Sequence, residues 1–389
     1  MRKKLLFIVN VDWAFISHRL PIALAAQQHG YEIHLACKIT NKKEELSEYG
    51  FILHDIPVSR SGTSIFGEIN VFFKIWRVIR KIKPEVLHLV TIKPVIYGGL
   101  ASRYLKNVKK IAAIPGLGYV FIAKGLKAKL FRFLVKILYR LSIRSSFASV
   151  IFQNPTDRKL FIKYNLIKKE QAILIKGSGV FLHNYLFVEE QKGIPVVMFV
   201  GRLLVDKGVR EFVEAARILY DKKIACRMVL VGDFDDNPKS ISKKEVERWV
   251  ADGYIEYWGY CSEINNTIKA ANIVVLPSYR EGLPKALIEA AACGRAVVTT
   301  DVPGCRDAII PGKTGILVPV CNANALSEAI GKLCLNTSLR KNMGGEGRKF
   351  AEAEFDINHV ISKHLRLYGD LRTSKTSMKF SHIERDLTK

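Results

Sequence analysis

Short apolar runs alternate with amphipathic stretches along nearly the whole chain. Residues 5–11 form an apolar run that stops at Asp12, which predicts a buried first strand rather than the longer core of a signal peptide. Residues 21–29 read as a helix whose stop is Gly30, and 32–36 as the next strand. A helical period over 71–82 is broken by Lys83-Pro84, and 86–90 follows as a strand. Helix 127–145 and strand 149–152 repeat the unit. This is the rhythm of βαβ units on a parallel sheet.

The rhythm restarts after a polar stretch at 189–193. Strands are expected at 195–200, 227–231, 255–258, 273–276 and 296–299, with a helix over 208–220. A last helix over 360–371 runs into a polar, lysine-containing tail. The expected division is a first α/β domain at 1–188, a second at 189–365, and a helix end and tail at 366–389. A chain of 389 residues exceeds the usual size of one core, so two are expected. Two such halves in tandem place a cleft between the carboxyl ends of their sheets, where ligands bind.

Composition adds one thing, a charge of +25 that is unevenly spread. Residues 1–190 carry 31 basic and 12 acidic groups, a net +19, while the remainder carries +6. Between Glu85 and Asp157 there are 12 Lys/Arg and no acidic residue. The first half is therefore expected to meet something anionic, such as lipid headgroups, phosphates or nucleic acid. No nucleic-acid motif or aromatic-interleaved basic patch is present, so no nucleic acid is expected as a partner. The seven cysteines are scattered without ligand spacing, which fits a reduced, cytoplasmic protein lacking structural zinc. No apolar run reaches the length of a transmembrane helix.

Two segments carry chemistry. In 199–208 an apolar strand ends at Gly201-Arg202, and a helix begins after Lys207-Gly208. Gly201 allows close backbone approach, and Arg202 with Lys207 bring two cations to one phosphate-sized volume beside helix N–H donors. In 277–289 a strand runs into a turn bearing Glu281, and Pro284 suits the first turn of a helix that holds Glu289. A carboxylate accepts two hydrogen bonds at once, which matches the paired hydroxyls of a ribose or hexose. Main-chain N–H groups of Gly282, Leu283 and Lys285 can stabilise a diphosphate leaving group. Glu289 stands among Ala286, Leu287, Ile288, Ala290, Ala291 and Ala292, and a carboxylate on so apolar a helix needs a partner.

In this order the two segments, with Gly232-Asp233 after a strand and Val302-Pro303-Gly304 after another, resemble retaining glycosyltransferase family 4. That resemblance covers most of the chain and is strongest over 196–320. It implies an α/β protein of GT-B architecture, two facing Rossmann-like domains with a deep interdomain cleft. It further implies that Arg202 and Lys207 bind the donor diphosphate, close to Gly201 and Gly232, and that Glu289 binds the ribose hydroxyls. Glu281, with the backbone of Gly282, Leu283 and Pro284, would hold the donor sugar and act in catalysis, and Tyr260 would frame the base. The donor implied is a nucleotide sugar, a UDP-HexNAc or UDP-hexose, and transfer would retain anomeric configuration without cofactor or metal. Consistently, no metal-ligand cluster is present in the sequence.

The first half is similar to the PglA-like subgroup that extends polyprenyl-diphosphate-linked sugars in capsule, O-antigen or glycoprotein assembly. On that likeness His18 is a catalytic candidate, and Arg19, Lys93, Gly116 and Gly118 face the acceptor. An anionic membrane surface is the expected partner of residues 124–144, which fits a peripheral enzyme on the inner face of the plasma membrane. Lys129, Arg132, Lys136, Arg140 and Arg144 fall within an arc of about 120° at helical spacing. Leu130, Phe131, Leu134, Ile137, Leu138 and Leu141 share a separate face, expected to pack on the sheet, so that charges alone would meet lipid. Two alternatives stand beside this reading. One is a basic nucleic-acid- or membrane-binding α/β protein without transferase activity; the other is a sugar-nucleotide epimerase on the same fold.

Overall fold

The computed structural model describes residues 2–58, 65–117, 125–144, 149–235 and 237–369. They form two units, Met1–Ser178 with the segment from Asn358 onward, and Gly179–Ile357.

In the first unit the elements run β1 (Lys3–Val11), α1 (Asp12–Gln28), β2 (Tyr31–Lys38), α2 (Lys43–Glu48), β3 (Ile52–Asp55), α3 (Ile65–Ile82) and β4 (Val86–Val90). They continue with α4 (Ile92–Ala101), β5 (Lys109–Ile114), α5 (Leu126–Ile143), β6 (Ser149–Phe152), α6 (Pro155–Lys163) and β7 (Ala172–Leu174). The strands pair in parallel in the order β3-β2-β1-β4-β5-β6-β7. Chain order reverses between β1 and β4, the switch point at whose carboxyl side α/β proteins bind ligands.

The second unit repeats the plan with β8 (Val196–Val200), α7 (Val209–Asp221), β9 (Arg227–Val231), α8 (Lys243–Ala251), β10 (Glu256–Gly259), α9 (Ile264–Lys269) and β11 (Ile273–Leu276). After these come α10 (Lys285–Ala292), β12 (Ala296–Thr300), β13 (Gly315–Val318), α11 (Ala323–Leu335) and α12 (Thr337–Glu354). Its parallel order is β10-β9-β8-β11-β12-β13, with the switch between β8 and β11. The central strands of both sheets are buried on both faces, which is why they read as continuous apolar runs, while the edge strands β3 and β10 hold no buried side chain. Helix α13 (Ile357–Tyr368) returns to the first unit, where Tyr31 Oη donates to the Tyr368 carbonyl at 3.1 Å and the Tyr368 hydroxyl lies 2.7 Å from His88 Nδ1.

Three features depart from the pattern reading. Helix α1 starts at Asp12, so Pro21 lies inside it and forfeits a backbone hydrogen bond. Burial of Phe15, Leu20, Ile22 and Leu24 offsets that loss. The division between units falls at 178/179, not at 188/189, because the intervening segment is built into the second core. Val180 bridges to Asp356, Tyr185 is buried, and Glu190 pairs with Arg340 at 2.9 Å with both side chains 5% exposed. The third correction concerns α5. Its sheet-facing side is Val135, Tyr139 and Ile143, with Tyr139 edge-on to Phe161 at 5.1 Å, whereas Leu130, Phe131, Leu134, Ile137, Leu138 and Leu141 are exposed. The helix has two apolar faces, and the narrower one is buried.

Candidate active site

The second unit gathers the chemical segments at the carboxyl end of its sheet, around the β8/β11 switch. Gly201 follows β8, Gly232 follows β9, 277–284 follow β11, and 301–304 follow β12. The Gly201 and Gly232 loops touch: Gly201 N–H donates to the Val231 carbonyl at 3.0 Å, and a side chain at Gly232 would strike the Gly201 carbonyl oxygen. Gly208 opens α7 in the left-handed region at φ 77°, against the Pro277 carbonyl, where no Cβ fits. Its glycine lets the Lys207 turn lie flat on the β11 loop.

That closeness brings two of the nominated side chains together. Lys207 Nζ lies 2.5 Å from Glu281 Oε1, with the side chains 22% and 13% exposed. The loops are clamped from the main chain as well, since Tyr279 N–H donates to the Asp206 carbonyl at 2.9 Å and Glu281 N–H to the Pro303 carbonyl at 3.1 Å. Tyr279 Oη donates to Glu211 on α7 at 2.6 Å, and Lys239 pairs with Asp206 at 3.0 Å. The Cys305 thiol behind the loop is pushed up to about 12 by burial and then by the charge of Glu281, against hydrogen bonds from Thr299 and Thr300. Arg202 is held by Asp235, at 2.5 Å from NH1 to Oδ2, and Asp235 also accepts the Asn237 N–H at 2.9 Å.

Glu289 does have the partner its apolar surroundings demand. It is 4% exposed, its Oε1 accepts the Tyr185 hydroxyl at 2.7 Å, and Lys285 Nζ one turn back lies 3.6 Å away. Burial, then the charge of Glu289, drives the Tyr185 phenol well above its usual range. Arg348 fixes the Tyr185 main chain, donating from NH1 to the carbonyls of Tyr185 (2.5 Å) and Ala292 (2.6 Å). Pro284 caps α10 in extended geometry, and Leu283 is buried beneath the turn beside Gly282. Tyr260 follows Gly259, whose carbonyl accepts the Gly232 N–H at 2.8 Å; its ring is 72% exposed. Tyr257 is the aromatic that reaches the Gly232 carbonyl, at 3.1 Å.

In the first unit the nominated residues are spread out. His18 is half-buried, with Nδ1 3.3 Å from Ser178 Oγ. Arg19 turns into the interior, 3% exposed, and burial lowers its guanidinium to about 10. Its neighbours there are the buried His88, His364 and Tyr368, so it is an internal cation rather than a surface contact. Lys93 pairs with Glu68 at 2.5 Å, and Tyr97 Oη donates to the other oxygen of Glu68 at 2.7 Å. Gly116 follows β5, while Gly118 lies outside the described residues. Sequence reasoning missed Asp235, Tyr185, Tyr257 and the Tyr279–Glu211 clamp. Of these only Asp235, in a Gly-Asp-Phe-Asp string directly after a strand, carried a local signal.

Tandem parallel α/β units, with paired cations and carboxylates at a helix-capped switch point, are the marks of a transferase handling phosphorylated sugars. Residues 194–336 match the family described as "Glycosyl transferases group 1", and residues 4–168 match "Glycosyl transferase 4-like". The chain is 30% identical over 375 residues to the N,N'-diacetylbacillosaminyl-diphospho-undecaprenol alpha-1,3-N-acetylgalactosaminyltransferase of Campylobacter jejuni, covering 93% of this chain and 97% of that one. Among solved structures it is similar to sucrose-phosphate synthase from Thermosynechococcus elongatus, with a TM-score of 0.79, 20% identity, and 96% of this chain and 100% of that one covered. It also resembles Anabaena HepE in complex with UDP-glucose, with a TM-score of 0.73, 16% identity, and 93% and 99% covered. The chain belongs to the group 1, family 4-like glycosyltransferases and has the GT-B fold.

Proposed function

We propose that this glycosyltransferase moves a sugar from a UDP-sugar, a UDP-HexNAc or UDP-hexose, to a polyprenyl-diphosphate-linked saccharide in cell-surface polysaccharide or glycan assembly. The second unit takes the donor and the first the acceptor. The observation that carries this reading is the Lys207–Glu281 pair, which sets a diphosphate-binding cation beside a sugar-binding carboxylate at the β8/β11 switch. Arg202 supplies the second cation, and Glu289, held by Tyr185, offers a carboxylate to the ribose hydroxyls. The bond from the anomeric carbon to the diphosphate oxygen breaks as the acceptor oxygen bonds to that carbon from the same face. The acceptor's proton leaves with the nucleoside diphosphate, and configuration is retained. Two cations and the α10 N-terminus balance the leaving charge, so activity is expected to survive chelation. His18 is assigned to the acceptor side of the reacting carbon.

The relative from Campylobacter jejuni is named for a diphospho-undecaprenol acceptor, and HepE was solved with UDP-glucose; both support this choice of substrates. Among the described residues no helix is long and apolar enough to cross a membrane. We assign the protein to the cytoplasmic face of the membrane, held peripherally through 124–144. Substituting Glu289→Ala or Arg202→Ala is expected to lower transfer by about 10²–10³-fold, the cost of removing one charge-stabilising group. Unaltered turnover in both variants, with folding intact, refutes the donor site. An NMR assay of the product's anomeric signal tests retention separately.

A further inference from the structure

The exposed apolar face of α5 has a second helix beside it. Helices α3 and α5 both pack against α4, and all three contribute to one core on the same face of the sheet. On α3 the buried side is Val71, Ile75, Ile79 and Ile82, while Phe66 (87% exposed), Ile69 and Phe73 point outward at a spacing of three and four residues. On α5 the outward side holds Leu130, Phe131, Phe133, Leu134, Ile137, Leu138 and Leu141. Taking 100° per residue, these seven span an arc of about 160°, centred opposite Val135 and Tyr139. Isolated exposed apolar residues need no explanation, but two stripes of Phe, Leu and Ile on the helices that flank α4 do.

Charge says what covers them. Helix α5 has no acidic residue, and Lys129, Arg132, Lys136 and Arg140 lie to one side of the apolar arc, with Lys129 and Arg140 exposed. Lys136 is drawn aside over the Tyr164 ring at 3.3 Å. Arg77, Arg80 and Lys81 extend the positive rim along α3. A second copy of the chain would bring the same positive rim against this one, and like charges at an interface repel. An anionic lipid leaflet satisfies both the apolar and the basic parts.

We propose that α3 and α5 form a two-helix platform that embeds in the boundary between headgroups and acyl chains. The apolar side chains enter the leaflet, and the lysines and arginines remain among anionic headgroups. This deepens the peripheral membrane reading above and rests on it. It replaces a contact made by charge alone with one in which charge steers and apolar insertion holds.

The test uses the full chain carrying Phe131→Trp, compared with the unaltered protein, on vesicles of phosphatidylglycerol and phosphatidylethanolamine. Insertion is expected to shift the added emission to the blue and to expose it to quenching by shallow nitroxide-labelled lipid. Part of the binding is expected to persist near ~0.5 M salt, where surface charges are screened within a few ångströms. Leu134→Asp with Leu138→Asp is expected to weaken partitioning roughly tenfold or more, while thermal unfolding stays unaltered. Binding that is lost in salt, without quenching, overturns insertion but leaves the peripheral reading standing. Failure to bind any anionic vesicle sinks both. A blue shift that grows with protein concentration in the absence of lipid makes a second copy the occupant and overturns the proposal.

Discussion

Replacing Tyr185 with phenylalanine tests the internal architecture of the proposed donor site. The hydroxyl lies 2.7 Å from Glu289 Oε1, and the carboxylate is 4% exposed, so water cannot take its place without opening the fold. The other charged contact, Lys285, lies at 3.6 Å, the edge of an ion pair. A hydrogen bond to a buried charge contributes about 1.5–3 kcal/mol net. In a unit of this size each kcal/mol moves the melting point by about 2–4 °C, so Tyr185→Phe should lower it by roughly 3–12 °C.

The comparison that isolates the argument is Glu289→Gln. Its amide oxygen still accepts from Tyr185, so stability should suffer less than in Tyr185→Phe. Donor binding should suffer more, because the charge proposed to meet the ribose hydroxyls has gone. Loosening the carboxylate by Tyr185→Phe should raise the donor KM about tenfold, equivalent to ~1.4 kcal/mol, with kcat changed less. Thermal unfolding followed by circular dichroism, with donor titration of both variants, supplies the two rankings. If Tyr185→Phe melts with the parent and keeps its KM, the hydroxyl does not hold Glu289 and the reasoning fails.

Two further outcomes follow from the packing. His88 and His364 are wholly buried in the first unit, and burial with the nearby charge of Arg19 keeps them neutral, His364 down to about 3. The unfolded chain binds protons at these sites below an ordinary histidine pKa of 6.5, while the folded chain excludes them. Stability should therefore fall as pH drops from 6.5 toward 3, by at most about 1.4 kcal/mol per pH unit for each histidine, and His364→Phe should flatten that slope in urea titrations. In the second unit, Arg340→Met leaves the Glu190 carboxylate buried without its ion pair, with the Asn272 amide at 3.2 Å and the charge of Arg295 nearby. A loss of about 3–5 kcal/mol is expected, largely restored by adding Glu190→Leu, and a neutral single variant would refute the pair's importance.

How far the sequence could be read depended on whether a signal was local. Strands buried on both faces announce themselves as apolar runs, so most of both sheets was visible, but β3, β5, β7 and β13 are not among the strands expected. The segments after β8 and β11 stood out because glycine, cation and carboxylate crowd into a few residues. Lys207 and Glu281, nominated separately, turn out to be one ion pair. Groups that act across distance left no trace. Tyr185 lies 104 residues from Glu289, in a stretch without helical or strand period that reads as the end of the first domain. Arg19 sits next to His18 and looked like a ligand of the same surface, yet the buried α1 turns it inward.

Helix α5 shows why charge and periodicity together still left its orientation open. Setting Val135 at zero, its side chains fall into a buried apolar sector, a basic sector and a second, wider apolar sector. Period alone cannot say which apolar sector meets the sheet, and by breadth the wider one is the natural choice. The fold decides otherwise because Tyr139 fits edge-on against Phe161, and Val135 and Ile143 complete that seam with the core of β-strands and α4. At 100° per residue, turning the helix to bury the wide sector would bring Arg144 toward the same core but carry Lys129, Arg132 and Lys136 away from it. The Tyr139–Phe161 seam thus selects the narrow face for the protein interior, although Lys129, Arg132 and Lys136 lie closer to that face than to the wide one, which is left exposed for the leaflet contact proposed above.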